Sequence, residues 1–198
     1  MANNADTIYH IKGQKTTLDI IQNACGANDK GETELAICEV LDRMNIPSEC
    51  IYCKGSFYLV DRIDNNTLDL VMDTAWDWLP DVVKVLKFEF NYDNDFKIDF
   101  VCTEPGNNIF VTTSKDIFKV EYWLDDTAGE TDGFYEKDNS DLAFEKMMAK
   151  ARELCNGYGI PIPSEISTFD ELEKWIDKTW EEKDLCDFIN VARYKVIS

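Results

Sequence analysis

The stretch FYLVDRIDNNTLDLVMD, residues 57–73, decides the fold. Its two halves, residues 57–62 and 67–73, are rich in the aromatic and β-branched residues that favour strands. Residues 64–66, Asp-Asn-Asn, lie between them and are typical of a tight turn. The stretch therefore predicts a β-hairpin.

The sequence on either side of the hairpin predicts alternating helices and strands. Before it, a strand is expected over residues 7–11, then a short helix from a Thr16/Thr17 cap and a second helix over about residues 33–44 with apolar residues at helical spacing. After it, Pro80 suits the first turn of a helix. The downstream pattern predicts one helix and three strands, at residues 80–90, 96–103, 109–113 and 117–124.

The C-terminal third is predicted to be helical. Residues 144–155 place apolar side chains on one helix face, and Gly157 is expected to end that helix. Thr168 and Glu171 form a capping box that opens another helix. A last helical segment is predicted from the spacing of four apolar residues, Leu185, Phe188, Ile189 and Ala192.

The net charge limits the kinds of partner. The 198 residues include 39 acids against 20 lysines and arginines, giving a formal charge of −19 and a pI near 4.3. Nucleic acid and anionic membranes are disfavoured as direct partners, because binding them requires cations. A basic protein surface is the natural complement. The alternative interpretation is that the acidity serves only solubility.

The seven cysteines and the single histidine indicate no catalytic centre. The N-terminus resembles no export signal and no apolar run approaches a membrane span, so a soluble cytoplasmic protein with mostly reduced thiols is expected. The CxxC pair of Cys50 and Cys53 lacks the two further ligands of a zinc site and precedes a strand rather than a helix. His10 has no residue nearby in the sequence to orient it. We therefore expect no cofactor, no metal and no enzymatic activity; a cysteine- or metal-dependent enzyme is the remaining alternative.

One part of the chain carries a family resemblance. Thr74-Ala75-Trp76 is followed by Leu79-Pro80, an apolar helix and a strand that ends in Glu104-Pro105-Gly106. This order resembles that of ferredoxin-like-fold proteins of phages, plasmids and conjugative elements, in which a threonine-alanine-tryptophan turn precedes the second helix. The chain departs from their pattern at Asp77-Trp78, where a small residue and prolines are usual.

The resemblance implies an α+β fold with a ferredoxin-like βαββαβ core and an antiparallel sheet. Residues 1–126 would form this core, with a helical insertion at about residues 23–53. Residues 127–198 would form an acidic loop and a C-terminal helical appendage packed on the core. The resemblance implies a mobile-element origin in a bacterial host cell but no catalytic residues. Small acidic proteins of such elements include anti-CRISPR proteins that occupy basic grooves.

The acidic residues concentrate in three segments. Residues 121–145 contain nine acids and one base, residues 61–104 eleven acids and four bases, and residues 165–187 nine acids and three bases. Clusters on one face would imitate a short length of phosphate backbone. The expected function is therefore inhibition of a basic nucleic-acid-binding protein, such as a Cas nuclease, by nucleic-acid mimicry. The alternative is an accessory or structural protein with solvated acidic faces.

The predicted partner-binding residues lie in a Thr/Gly-rich stretch that we expect to be an exposed loop. Its carboxylates would supply the charge, and exposed aromatic rings would supply the anchors that charge alone lacks. The predicted residues are Asp125, Asp126, Glu130, Asp132, Glu136 and Asp138 for the charge, with Tyr122, Phe134 and Tyr135 as anchors.

Overall fold

A computed structural model describes residues 4–49, 51–91, 95–126, 132–136, 142–183 and 189–197, without the side chains of Asp126 and residues 132–136. The fold is mixed α+β, with antiparallel strand pairs and six α-helices among the described residues. The chain divides into two compact units. The first comprises Met1–Ser114 with Ile197–Ser198, and the second comprises Lys115–Val196.

The first unit is an antiparallel sheet with helices. Its strands are β1 (Asn4–Lys12), β2 (Gly55–Asp64), β3 (Thr67–Ala75), β4 (Lys97–Glu104) and β5 (Ile109–Thr112). Its helices are α1 (Lys15–Cys25), α2 (Ile37–Arg43) and α3 (Pro80–Phe90). The strands lie in the order β2-β3-β1-β4-β5. At the C-terminal end of the chain, the Ile197 amide donates to the Thr112 carbonyl at 2.9 Å.

Buried side chains alternate with more exposed ones along the strands, and the buried ones form the core of this unit. In β1, Thr7, Tyr9 and Ile11 are buried, whereas the residues between them are exposed or half-buried. Because side chains alternate across a sheet, one face of the sheet packs with the helices and the other carries polar residues. The apolar core contains Leu18 of α1 and Val82 of α3 together with Tyr9 and Ile11.

The predicted hairpin and the helix over residues 80–90 are confirmed, but the helix predicted over residues 33–44 is shorter. Residues before Ile37 instead lie along the edge of β2. The Val60 amide donates to the Gly31 carbonyl at 2.8 Å, and the Phe57 amide donates to the Leu35 carbonyl at 3.0 Å. A Cβ on Gly31 would lie 2.4 Å from the Val60 oxygen, so only glycine allows this approach.

The second unit has its own sheet and core. Its strands are β6 (Val120–Asp126), β7 (Asp132–Glu136) and β8 (Ile189–Arg193), in the order β7-β6-β8, and the chain continues into β9 (Lys195–Val196). Its helices are α4 (Lys115–Phe118), α5 (Ala143–Gly157) and α6 (Phe169–Lys183). The buried faces of α5 and α6 contribute Met147, Ala151, Leu172 and Ile176 to its core.

Three predictions for this region are wrong. Residues 115–118 form the helical turn α4, so the strand predicted from residue 117 begins at Val120. Residues 189–193 form a strand instead of a helix, because they pair with β6; the preceding residues of that predicted helix, 184–188, lie outside the described residues. The unit boundary falls at Lys115 and not at residue 127, because β6 pairs with β7 and β8.

Candidate functional site

The predicted acidic loop is in part a hairpin. Asp125 of β6 pairs with Asp132 of β7, and Asp126 ends β6. Phe134, Tyr135 and Glu136 lie in β7, where the register pairs them with Trp123, Tyr122 and Val120. Asp125 is half-buried. Glu130 and Asp138 lie outside the described residues, and their role in partner binding stays a prediction.

Tyr122 is a buried core residue and not an exposed anchor. Its ring stacks on Phe169 at 5.4 Å between centroids and lies 5.8 Å from the ring of Phe144, with the Arg193 guanidinium 5.8 Å above it. Trp123 is also buried. Because the consecutive residues Tyr122, Trp123 and Leu124 are all buried, both faces of β6 are covered. The uninterrupted apolar run Tyr122-Trp123-Leu124 is the sequence signal for such a strand.

An exposed acidic surface of the second unit lies on α6, in the third acidic segment of the sequence. Asp170, Glu173, Asp177 and Glu181 are all exposed, at intervals of three, four and four residues. At 100° per residue these intervals place all four carboxylates on one side of the helix. We call these four residues the α6 stripe. The sequence showed the charge of this segment, but the shared face follows only from the helix phase.

The α6 stripe is set apart by its lack of partners. Within the described part of the chain, none of its four carboxylates forms an ion pair or a side-chain hydrogen bond. Lys174 is exposed beside them and is likewise unpaired among the described side chains. The other acids of α6 are engaged, since Glu182 pairs with Lys178 at 3.5 Å and Glu171 caps the helix. The stripe extends over about 16 Å at 1.5 Å per residue.

The capping box that holds α6 is confirmed. The Glu171 amide donates to the Thr168 hydroxyl at 3.3 Å, and the Glu171 carboxylate accepts from the amides of Thr168 and Ser167 at 3.1 and 3.0 Å. These hydrogen bonds to the charged form lower the pKa of Glu171. On the opposite side, Leu172 and Ile176 are buried in the core. The cap and the core thus fix the helix that displays the stripe.

The two segments that carry the family resemblance form turns at one end of the first sheet. The Thr74 hydroxyl lies 3.0 Å from that of Thr7 and contacts the carbonyl of Asp77, and the Asp77 carboxylate accepts from the Leu79 amide at 2.8 Å. These bonds shape the entry into α3. The buried Glu104 carboxylate accepts from the Asn107 amide. Both segments therefore have structural roles.

His10 has a partner that is distant in the sequence, where no local partner was predicted. Its Nδ1 lies 2.7 Å from the Asp69 carboxylate on the adjacent strand, which the sequence could not show because the two residues meet only through the register of β1 and β3. On its other side the register places Asp99, whose carboxylate accepts from the Thr113 hydroxyl at 2.9 Å. A histidine that activates a nucleophilic side chain needs that side chain within hydrogen-bond reach. The register neighbours of His10 are both carboxylates.

The buried thiols are poorly suited to catalysis. Burial raises the pKa of Cys25 and of Cys102 to about 12, and burial together with the adjacent Cys38 thiol raises the pKa of Cys53. Since the thiolate is the reactive form, these groups are weak nucleophiles at neutral pH. Cys50, the other half of the CxxC pair, lies outside the described residues. His, Cys, Asp and Glu side chains of the described ranges form no group of three or more suited to a metal ion.

A polar groove of about 530 Å³ lies between the end of α1 and β2. Lys30, Asp29 and Asp61 line it together with Arg62, whose Nη2 donates to the Asn65 carbonyl at 2.8 Å. The Nη1 of Arg62 is buried without a hydrogen-bond partner among the described atoms. Cations and carboxylates balance here, so the groove is not part of an acidic surface.

The helices of the described segments are all too short or too polar to cross a bilayer. Comparison of the chain with protein-family models, with curated proteins and with solved structures found no match to any of them.

Proposed function

We propose that this chain is a non-enzymatic acidic binding protein that occupies the cationic groove of a nucleic-acid-binding protein. The observation that carries the proposal is the α6 stripe, four exposed carboxylates on one helix face without a partner among the described residues. Unpaired surface carboxylates are available to cations of another molecule. The net charge of −19 adds a long-range attraction for a basic partner and repels free nucleic acid.

The spacing of the stripe supports mimicry of a phosphate backbone. Four carboxylates over about 16 Å are on average about 5 Å apart along the helix. One strand of duplex DNA carries a phosphate about every 3.4 Å of axis. The stripe is therefore a row of negative charges that is about as long as a few nucleotides of one DNA strand. Its charges are somewhat farther apart than the phosphates of that strand. The proposal also includes the predicted partner-binding acids of the β6–β7 hairpin, Asp125, Asp126, Asp132 and Glu136, which belong to the same unit.

Two further aspects belong to the proposal. We propose that β1 to β4 with α1 and α3 form a ferredoxin-like βαββαβ core, supported by the antiparallel order β2-β3-β1-β4 and by the helices that connect β1 to β2 and β3 to β4. A mobile-element protein acting in the bacterial cytoplasm would fit this core and charge. The most concrete partner is a Cas nuclease, which would make the chain an anti-CRISPR protein. The proposed fold does not itself support the proposed function, which rests on the α6 stripe.

Affinity capture with a matched control tests the proposal. The stripe variant carries Asp170→Asn, Glu173→Gln, Asp177→Asn and Glu181→Gln. The control removes the same four charges at other exposed acids, with Glu34→Gln, Glu49→Gln, Asp95→Asn and Asp116→Asn. Parent and control should capture a nucleic-acid-binding protein, including a Cas nuclease where present, at about 50 mM salt, and release it at about 500 mM because exposed charges are screened.

The stripe variant should lose this capture. Equal capture by the parent, the stripe variant and the control would contradict the role of the stripe. If none of the three proteins captured a basic partner, the alternative that acidity serves only solubility would replace the proposal.

A further inference from the structure

Two free thiols lie where α2 adjoins the start of β2 in the first unit. Cys38 is in the first turn of α2, and Cys53 lies two residues before β2 begins at Gly55. Cys53 is buried in the apolar core of the unit, and Cys38 is half-buried and packs against the same core. Two thiols in this arrangement can be joined if the backbone brings them within reach of each other.

The backbone holds the segment before α2 beside the start of β2. Ala36 forms an antiparallel bridge with Ser56. The next pair along the same direction is also in contact, since a Cβ on Gly55 would lie 3.1 Å from the Cδ1 of Ile37. The chain that enters α2 and the chain that enters β2 therefore run side by side in opposite directions.

This pairing leads directly to the two cysteines. Cys38 follows Ile37, and Cys53 precedes Gly55 by two residues. The Cα atoms of paired antiparallel residues are about 4.5–5.5 Å apart, within the span of about 4.4–6.8 Å that a disulfide bridges. The thiols also interact, because burial and then the charge of the Cys38 thiol and a hydrogen bond with it raise the pKa of Cys53. Backbone and side chains thus bring the two sulfur atoms to one place.

We propose that Cys38 and Cys53 form a disulfide when the protein meets a small-molecule disulfide, and that this bond fastens α2 to the chain entering β2. The spacing of the CxxC motif would instead pair Cys53 with Cys50. The inference does not depend on the α6 stripe, so either can fail without the other.

With glutathione disulfide as the oxidant, the reaction is a pair of thiol–disulfide exchanges. Cys38 is the more exposed thiol, so its thiolate attacks one glutathione sulfur and releases a glutathione thiolate. Cys53 then loses its proton, and its thiolate attacks the Sγ of Cys38 and releases the second glutathione thiolate. The two cysteines give up two electrons and two protons, and the two released thiolates take up the protons. Because Cys53 is buried, the second exchange is the slower step.

Peptide mapping after incubation of the full chain with glutathione disulfide tests the inference. After the remaining free thiols are alkylated, cleavage behind lysine and arginine gives peptide 31–43 with Cys38 and peptide 44–54 with both Cys50 and Cys53. The two peptides should be linked in the parent and also in Cys50→Ser, where only Cys53 can supply the second sulfur. The link should be lost completely in Cys38→Ser.

Thermal unfolding tests whether the bond fastens α2. Closing the chain between residues 38 and 53 restricts the unfolded state, so the oxidised parent and oxidised Cys50→Ser should unfold at least about 5 °C above their reduced forms. Cys38→Ser should show no such rise. A disulfide within peptide 44–54 of the parent, or unlinked peptides in Cys50→Ser, would overturn the inference. Linked peptides without a rise in the unfolding temperature would overturn the proposed fastening of α2.

Discussion

The surface carboxylates of α6 differ in their partners from those on the helices of the first unit and from Glu153 of α5, which pairs with Lys150 at 2.9 Å. In the first unit, each helix has an exposed acid paired with a cation: Asp19 with Lys15 at 2.6 Å, Glu39 with Arg43 at 2.9 Å and Asp81 with Lys84 at 3.1 Å. In α6 the stripe has no such pair among the described residues, and only Glu182 is matched, by Lys178. Exposed ion pairs contribute little to stability in either unit. The difference therefore concerns what the surfaces can bind, while the cores and caps hold the helices.

The largest expected effect comes from the buried side of α6. Leu172 is fully buried, and Leu172→Ala should lower the free energy of unfolding by about 2–5 kcal/mol through lost burial and a residual cavity. Denaturant titration followed by circular dichroism measures this change. The equally buried Leu18→Ala in α1 is the matched comparison in the first unit. A loss below about 1 kcal/mol for Leu172→Ala would mean that α6 is not held by its core face.

Alkaline pH should weaken the first unit through its buried thiols. Burial raises the pKa of Cys25 from 9.0 to about 12 in the folded state. The folded state then holds its proton where the unfolded state has lost it, so stability is complete below pH 9 and is lost as pH rises toward 12. Between these two pKa values the slope for one such thiol is about 1.4 kcal/mol per pH unit. Urea titrations between pH 8 and 11 should give a shallower decline for Cys25→Ala than for the parent. Parallel declines in the two proteins would contradict the role of Cys25.

The cap of α6 should have an intermediate effect. Thr168→Ala removes the hydroxyl that accepts from the Glu171 amide and should cost about 0.5–2 kcal/mol. Thr168→Ser keeps the hydroxyl and should remain close to the parent. Hydrogen bonds to the ionised carboxylate lower the pKa of Glu171. Their contribution to the free energy of unfolding is therefore complete when the pH is above the ordinary pKa of a glutamate, and it is lost as the pH falls through the lowered pKa. Equal stability of the alanine and serine variants would show that the capping box does not stabilise the helix.

Features set by local sequence could be predicted. Helix α3 has the predicted bounds, Pro80–Phe90, because a first-turn proline and a helical apolar period lie within the same eleven residues. The capping box at Thr168 and Glu171 and the hairpin turn near Asp64 are equally local. Each of these depends on residues that are neighbours in the chain.

Features set by distant partners could not be predicted from the pattern. Residues 33–36 have helix-compatible sequence, but the edge of β2 takes up their backbone hydrogen bonds. The apolar residues within 189–193 fit the spacing of either a helix or a strand. Their pairing with β6 makes this segment a strand. Phe144 of α5 and Phe169 of α6 pack on the ring of Tyr122 and bury this residue, which the sequence alone suggested as an exposed anchor. For the candidate site, the sequence indicated acidic segments, but the α6 stripe depends on where the helix begins and which of its faces is buried.

The smallest effect on stability should come from neutralising the α6 stripe. Glu173 and Asp177, and Asp177 and Glu181, are like charges four residues apart, and each such pair destabilises a helix by about 0.2–0.5 kcal/mol. Against this gain, Asp170→Asn removes a favourable interaction with the helix N-terminus, about 0.3–1 kcal/mol. The two terms nearly cancel, so the four-site variant should unfold within about 1 kcal/mol of the parent. Because added salt screens both the repulsion and the attraction to the helix N-terminus, the difference between parent and variant should stay within about 1 kcal/mol at high salt. A loss of more than about 2 kcal/mol would show that the stripe stabilises α6, and a loss of partner capture could then no longer be attributed to charge.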